Sequence, residues 1–266
     1  MPRLVLISDT HGRHDRLNLP DGDILVHAGD ALRRGHGQEA LAFGRWMAQQ
    51  PHEHKVYVPG NHDEALQDGF VRTALRAMGL HVLKDHGADV AGLRFYGSPW
   101  TPQFGDWAFM LPDAHLACIF DRIPVAVDVL VTHGPPHGVL DRTLDGRLVG
   151  SRALLAAVER TRPTLHVFGH IHEARGDRQV GETTFLNVAS LDRSYQADRI
   201  RQPVVWDVEP RHPSRERQEI PWEFDRGYKA GYAGEGYSPT SLPYIEGYES
   251  GELAAMRAGK RSTDLD

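Results

Sequence analysis

The chain of 266 residues contains a single cysteine, Cys118. One thiol closes no internal disulfide and offers no thiolate cluster for a structural zinc, so a stapled secreted scaffold is excluded and a reducing cytosol is the expected compartment. Long apolar runs are also lacking. No stretch approaches the ~18 uninterrupted apolar residues of a transmembrane helix, so no membrane association is expected. Met1-Pro2-Arg3 passes directly into the short run Leu4–Ile7, without the apolar core of roughly 7–15 residues that a signal peptide needs, and export is not expected. Positive charge is not in excess either: 30 Lys and Arg stand against 36 Asp and Glu, a net charge of −6. Such a field repels polyanions and argues against a protein whose main task is gripping extended nucleic acid.

What the sequence does have is histidine, 16 in all, and 40% hydrophobic residues in short, punctuated runs. Leu4–Ser8, Ile24–His27, Val56–Val58, Val129–Thr132 and Leu165–Phe168 each end in a polar cluster and read as buried strands. Helical spacing appears between them over Gln38–Gln50, Phe70–Met78 and Ser151–Arg160. The segments His81–Lys84, Leu93–Tyr96, Thr184–Val188 and Pro203–Val208 add closely spaced strand candidates. The expected fold is α/β, with two facing mixed β-sheets flanked by helices over residues 1–209.

In open α/β sheets the loops after the strands' carboxyl ends collect functional groups. Here those loops hold Asp9-x-His11, Gly29-Asp30, Gly60-Asn61-His62-Asp63, His133-Gly134 and Gly169-His170-x-His172. Each alone is a respectable turn sequence. Together they offer carboxylate, amide and imidazole donors without thiolate, a set that suits Mn, Fe, Zn, Co or Ni. On extended backbone residues i and i+2 point the same way, so Asp9 with His11, and His170 with His172, can each converge on one centre.

Five motifs in this order resemble the calcineurin-like metallophosphoesterases, whose signature runs D-x-H, G-D, G-N-H-[DE], H and G-H-x-H. Ile7-Ser8-Asp9-Thr10-His11, Val26-His27-Ala28-Gly29-Asp30, Tyr96-Gly97-Ser98-Pro99-Trp100-Thr101-Pro102, Thr132-His133-Gly134-Pro135-Pro136 and His166–Glu173 are similar to the metallophosphoesterase-domain subfamily of cyclic-nucleotide phosphodiesterases. The resemblance implies that Asp9, His11 and His172 hold one metal and Asn61, His133 and His170 a second, with Asp30 bridging. It also implies that two cations lower the pKa of a shared water and polarise the phosphoryl group, so that no protein nucleophile is needed. His62 is implied either to protonate the departing alkoxide or to stabilise the phosphorane-like charge, and Asp63 is expected to fix its ring or raise its pKa. Some subfamily members lack the first histidine of G-H-x-H, but His170 is intact here.

Small phosphodiesters, cyclic nucleotides among them, are the expected substrates, with a phosphomonoesterase or a metal-bound binding module as rivals. Arg13, two residues after His11, is either a phosphoryl contact or a surface cation. Trp100 is either a stacking surface for a purine, with Trp107 close behind, or a packing residue. His27 and His166 read as structural, His52, His54, His81 and His86 as surface or strand-end residues. After Val208 a Pro- and charge-rich stretch reads as a linker over 210–224. Residues 225–266 then carry five of the eight tyrosines, four of them in Gly-Tyr pairs. This extension faintly resembles the ribosome modulation factor family, but eight Lys and Arg against ten Asp and Glu from 210 onward favour subunit docking over RNA contact.

Overall fold

The computed structural model describes residues 1–196 and 199–210. The expected linker beyond Pro210 and the Gly-Tyr-rich extension, with its ribosome or subunit contact, lie outside the described residues.

The first sheet grows from the N-terminus by right-sized α/β steps. Strands β1 (Arg3–Ile7), β2 (Ile24–His27), β3 (His54–Tyr57) and β4 (Leu80–Val82) run parallel, with α1 (Gly37–Ala48) and α2 (Gly69–Ala77) in the connections. The Asp68 carboxylate caps α2 by accepting from Phe70 N–H at 2.8 Å. A second sheet follows: β5 (His86–Val90) and β6 (Leu93–Ser98) pair antiparallel, and β9 (Val129–Thr132), β10 (Leu165–Phe168) and β12 (Thr183–Asn187) add in parallel, with β11 (Gly176–Val180) at the edge. Between β6 and β9 lie the two-stranded pair β7 (Thr101–Pro102) and β8 (Met110–Leu111) and the helix α3 (Asp113–Phe120); α4 (Arg152–Thr161) connects β9 to β10. Finally β13 (Val204–Asp207) returns to the first sheet beside β1, giving the orders β13-β1-β2-β3-β4 and β11-β12-β10-β9-β6-β5.

The two sheets face each other across one core. Leu4 and Leu6, Ile24 and Val26, and Val56 and Val58 meet Leu93 and Phe95, Val129 and Val131, and Leu165 and Val167, all fully buried. The i, i+2 spacing of every pair is strand alternation putting one face of each sheet inward. The alternate residues face the helices: His27 lies against Phe43 of α1 and Tyr57, and His166 against Phe168 and Phe185. Both were expected to be structural, and both are completely buried.

Five elements, β5, β7, β8, α3 and β11, have no counterpart among the strand and helix candidates of the sequence. In α3 the buried Leu116, Ile119 and Phe120 form a single helical stripe too short to stand out from its surroundings, and Asp113 ties the helix to α4 through Ser151 Oγ and Arg152 N–H. The polar strand β11 forms because β12 supplies its partner across a tight turn at Gly181, whose φ is +58°.

Candidate metal centre

The parallel strands β1, β2 and β3 of one sheet, and β9 and β10 of the other, end at a common edge, and the five polar loops emerge there. The sheets are stitched beneath them by a bridge between Ser8 and Ala189, where Ser190 N–H donates to Ser8 O at 2.8 Å. Across that edge His170 N–H donates to the Asp9 carboxylate at 3.0 Å, and His62 N–H to Asp30 Oδ1 at 2.8 Å. The loops turn hard to do this. Asp9, His11, Asp30 and His170 have φ of +52°, +43°, +56° and +68°, a left-handed backbone that costs about 1–3 kcal/mol at each non-glycine residue and persists only where its surroundings enforce it. Hydrogen bonds from Asp9 N–H to Gly29 O and from His11 N–H to Asp30 O do the enforcing. Gly169 allows the closest approach: a Cβ there would lie 2.0 Å from Asp9 Oδ2.

Three donor groups result, each with its ligand atoms within 4.8 Å of one another: Asp9, His11 and His172; His11, Asp30 and His62; and Asp30, His133 and His170. Asp30 belongs to two of them, with Oδ2 3.7 Å from His11 Nε2 and Oδ1 3.3 Å from His133 Nε2. Asn61 Oδ1 lies 2.9 Å from His133 Nε2. The rings are aimed by backbone carbonyls: His133 Nδ1–H donates to Ala28 O at 3.0 Å and His172 Nδ1–H to Asp192 O at 3.3 Å, leaving both Nε2 atoms turned inward.

Charge is arranged to match. Burial favours the neutral acid at Asp9 and Asp30, but the imidazoles of His172 and His133 hold both carboxylates below the ordinary range. Burial pushes His11 down to about 4 and His170 to about 3, so both rings keep a free lone pair at neutral pH. At His133 burial is outweighed by the carboxylates of Asp30 and Asp9, which raise it to about 9. His11 Nε2 is buried and meets no hydrogen-bond partner, although a buried polar atom ordinarily has one. A pair of buried carboxylates, an amide oxygen and inward imidazole nitrogens, one of them bare, fit a pair of divalent cations.

The sequence profile of calcineurin-like phosphoesterases matches residues 2–174. The chain belongs to this family. It is 36% identical to the human "Metallophosphoesterase domain-containing protein 1" over 232 residues, covering 77% of this chain and 71% of that protein. A UPF0046 protein of Caenorhabditis elegans is 34% identical, over 81% of this chain and 84% of its own length. A crystal structure at 18% identity superimposes with a TM-score of 0.58, over 70% of this chain and 90% of the other, and so shares the fold. As a calcineurin-like phosphoesterase the chain is a metal-dependent phosphoester hydrolase, and no described helix is long and apolar enough to cross a membrane.

Around the phosphoesterase centre the structure corrects three expectations, those for Asp63, Trp100 and His52. The fully buried Asp63 does not serve the His62 ring: its carboxylate accepts from the backbone N–H groups of Gly60 at 2.7 Å, Leu32 at 2.9 Å and Ala31 at 3.3 Å, binding the second and third loops together. Burial and the charge of Asp30 push it up to about 7. Arg13, expected as either a phosphoryl contact or a surface cation, is half-buried and directs Nη1–H to the carbonyl of Tyr195. Trp100 is buried against Phe109, with Nε1–H donating to Asp85 Oδ2 at 2.7 Å, so it is a packing residue and not a stacking surface. His52, read as a surface or strand-end residue, is buried ahead of β3, with its Nε2 3.0 Å from Pro20 O.

The aromatic residues that do border the centre are others. Trp107 lies 4.4 Å from the His62 ring, Phe104 5.4 Å from His170, and Tyr195 4.9 Å from His11 and 5.2 Å from His172, measured between centroids. Phe104 and Tyr195 escaped the sequence reading because neither belongs to a periodic segment. The available signal was large aromatics in the loop Gln103-Phe104-Gly105-Asp106-Trp107, where no strand or helix calls for them.

Proposed function

We propose that the chain is a dinuclear phosphodiesterase of small phosphodiesters, with 3′,5′-cyclic nucleotides the leading substrates and a reducing cytosol its compartment. The observation that carries this reading is the shared carboxylate of Asp30, whose two oxygens face different donor groups. Asp9, His11 and His172 would hold one cation and Asn61, His133 and His170 the other, with Asp30 between them. Two divalent cations, when bound, supply an acidified water and polarise the phosphoryl oxygens. The chain's own contribution is geometry and a proton. His62 stands at the same cluster, its ring 4.7 Å from that of His11, and delivers a proton to the departing alkoxide. Asp63 holds the loop that carries His62 by accepting from Gly60 N–H of that loop and from the Ala31 and Leu32 amides that follow Asp30.

A diester is favoured over a monoester by charge. A monoester dianion calls for an arginine fork beside the cations, and Arg13, the nearest arginine to the D-x-H motif, already directs one guanidinium nitrogen to the Tyr195 carbonyl. The cyclic-nucleotide preference is supported by the motif resemblance, and Mn²⁺ is the metal chosen for assay.

Initial rates with Mn²⁺ on bis-p-nitrophenyl phosphate, p-nitrophenyl phosphate and 3′,5′-cyclic AMP, against an Asp30→Ala control, test the reading. Hydrolysis of the diesters that the control loses is the expected result. Preference for the monoester would make the chain a phosphomonoesterase, and silence on all three would leave a nucleotide-binding module.

A further inference from the structure

Single exposed apolar side chains are ordinary on a protein surface and need no explanation. Phe70, 87% exposed on α2, is one. Phe104, Trp107 and Tyr195 are different, because they are 65%, 49% and 43% exposed and each lies against an imidazole of the metal centre. Trp107 lies over His62 with the ring planes 34° apart, Phe104 borders His170 and Tyr195 borders both His11 and His172. Both ends of the donor cluster are thereby edged by aromatic surface open to solvent.

These rings are held in place. The loop bearing Phe104 and Trp107 is clamped at its base by β7 and β8, with Thr101 N–H donating to Phe109 O at 2.9 Å and Gln103 N–H to Leu111 O at 3.0 Å. Below that, Trp100 packs edge-on against Phe109 and is fixed by Asp85, which also accepts from Ser98 Oγ at 2.7 Å. Gly105 lets the indole fold back over the loop, since a Cβ there would lie 3.0 Å from Trp107 Cδ1. On the opposite side Arg13 anchors the Tyr195 backbone from the loop that carries His11. Arg13 is therefore a positioning residue for Tyr195.

We propose that Phe104, Trp107 and Tyr195 form an aromatic collar that selects phosphoesters bearing a flat aromatic group. The collar holds that group by stacking and edge contacts while the phosphoryl head reaches the donor cluster. The proposal deepens the phosphodiesterase reading and rests on it for the placing of the phosphoryl head. It makes these three residues determinants of specificity, not of the chemical step.

The test is direct binding, measured by calorimetry on the full chain loaded with Mn²⁺. Phenylphosphonate and methylphosphonate carry the same non-hydrolysable head group and differ only in the ring. Phenylphosphonate is expected to bind about tenfold tighter, the size of one aromatic stacking contact. That advantage disappears in Phe104→Ala/Trp107→Ala and is kept in Trp107→Phe. All three collar side chains are solvent-exposed, and unchanged thermal unfolding of the variants checks that the fold is intact. Equal affinity of the two phosphonates for the wild type, no binding of either, or an equal loss for both in the double variant would overturn the collar. The same comparison with AMP and ribose 5-phosphate assigns the ring to a nucleobase if AMP gains as much, and to a smaller aryl group if it does not. Diester hydrolysis is scored separately, so a phenyl advantage without turnover would sink the phosphodiesterase reading and leave the collar standing.

Discussion

The two sheets contribute unlike chemistry to one edge. Loops of the first sheet bring the acids and the amide, Asp9, Asp30 and Asn61, together with His11 and His62, whereas the donors from the second are all imidazoles, His133, His170 and His172. Beneath this difference lies a repeated device. In the first sheet His27 Nε2–H donates to Thr10 Oγ1 at 2.9 Å while its Nδ1 accepts from Gly29 N–H. In the second, Thr132 Oγ1 donates to Gly134 O and accepts from His166 Nε2–H at 2.8 Å, leaving His166 Nδ1 bare. Each sheet thus uses a buried, neutral histidine, His27 at the end of β2 and His166 within β10, bonded to a threonine at or beyond a strand end that leads into a ligand loop. The lesson is that the carboxylates sit on one half while the other adds only imidazoles, and two of the three donor groups, Asp9 with His11 and His172 and Asp30 with His133 and His170, draw on both sheets.

The sharpest way to break that comparison is to remove the acid that serves both donor groups. Asp30→Ala is expected to reduce hydrolysis to the level of the metal-free protein and to lose both metals by elemental analysis. His170→Ala, from the imidazole half, should lose one. Retention of two metals by either variant would end the division of labour proposed here. Next in size is His62→Ala, expected to lower kcat on diesters by about 10²–10⁴-fold with metal content unchanged, as for loss of a general acid; a parallel loss of metal would make His62 a ligand.

The seam between the halves is tested by Gly169→Ala. Its Cβ would press on Asp9 Oδ2 and on Ser8 Oγ, so metal affinity should fall by about 10–100-fold and stability by about 1–3 kcal/mol, read by metal titration and denaturant unfolding. The smallest effect concerns the paired histidines. Burial pushes both His27 and His166 down to about 3, while the unfolded chain titrates near the ordinary value of 6.5. Below that value the unfolded state binds protons that the folded state refuses, so stability is full above pH 6.5 and falls as the pH drops toward 3. His166→Gln is therefore expected to show a smaller decline in Tm between pH 7.5 and pH 5 than the wild type. An equal decline would place the acid sensitivity elsewhere.

Much of this was legible in the sequence for a simple reason. The short Val, Ile and Leu runs stop where the polar clusters begin, so strand ends and donor residues announced each other. Asp9, His11, Asp30, Asn61, His133, His170 and His172 could be named because backbone turn chemistry and donor chemistry coincide there. The misreadings share a different cause. In the sequence Asp63 is placed by its neighbour His62 and Trp100 stands open between stacking and packing, but a carboxylate or an indole N–H goes to whichever partner the fold presents. Those partners were the amides of Ala31, Leu32 and Gly60 and the carboxylate of Asp85. The strand β11 was invisible because its residues carry no apolar alternation, and its pairing comes from β12.

Sequence alone determined the α/β class, the facing sheets and the family, because alternation, punctuation and donor type are local properties that survive without coordinates. Tertiary structure decided which oxygen of Asp30 faces which donor group, why His11 Nε2 stands without a hydrogen-bond partner, and that Phe104, Trp107 and Tyr195, from two segments distant in the chain, border imidazoles of one donor cluster. Those are relations between residues brought together only when two sheets close on a shared core, and no spacing along the chain encodes them.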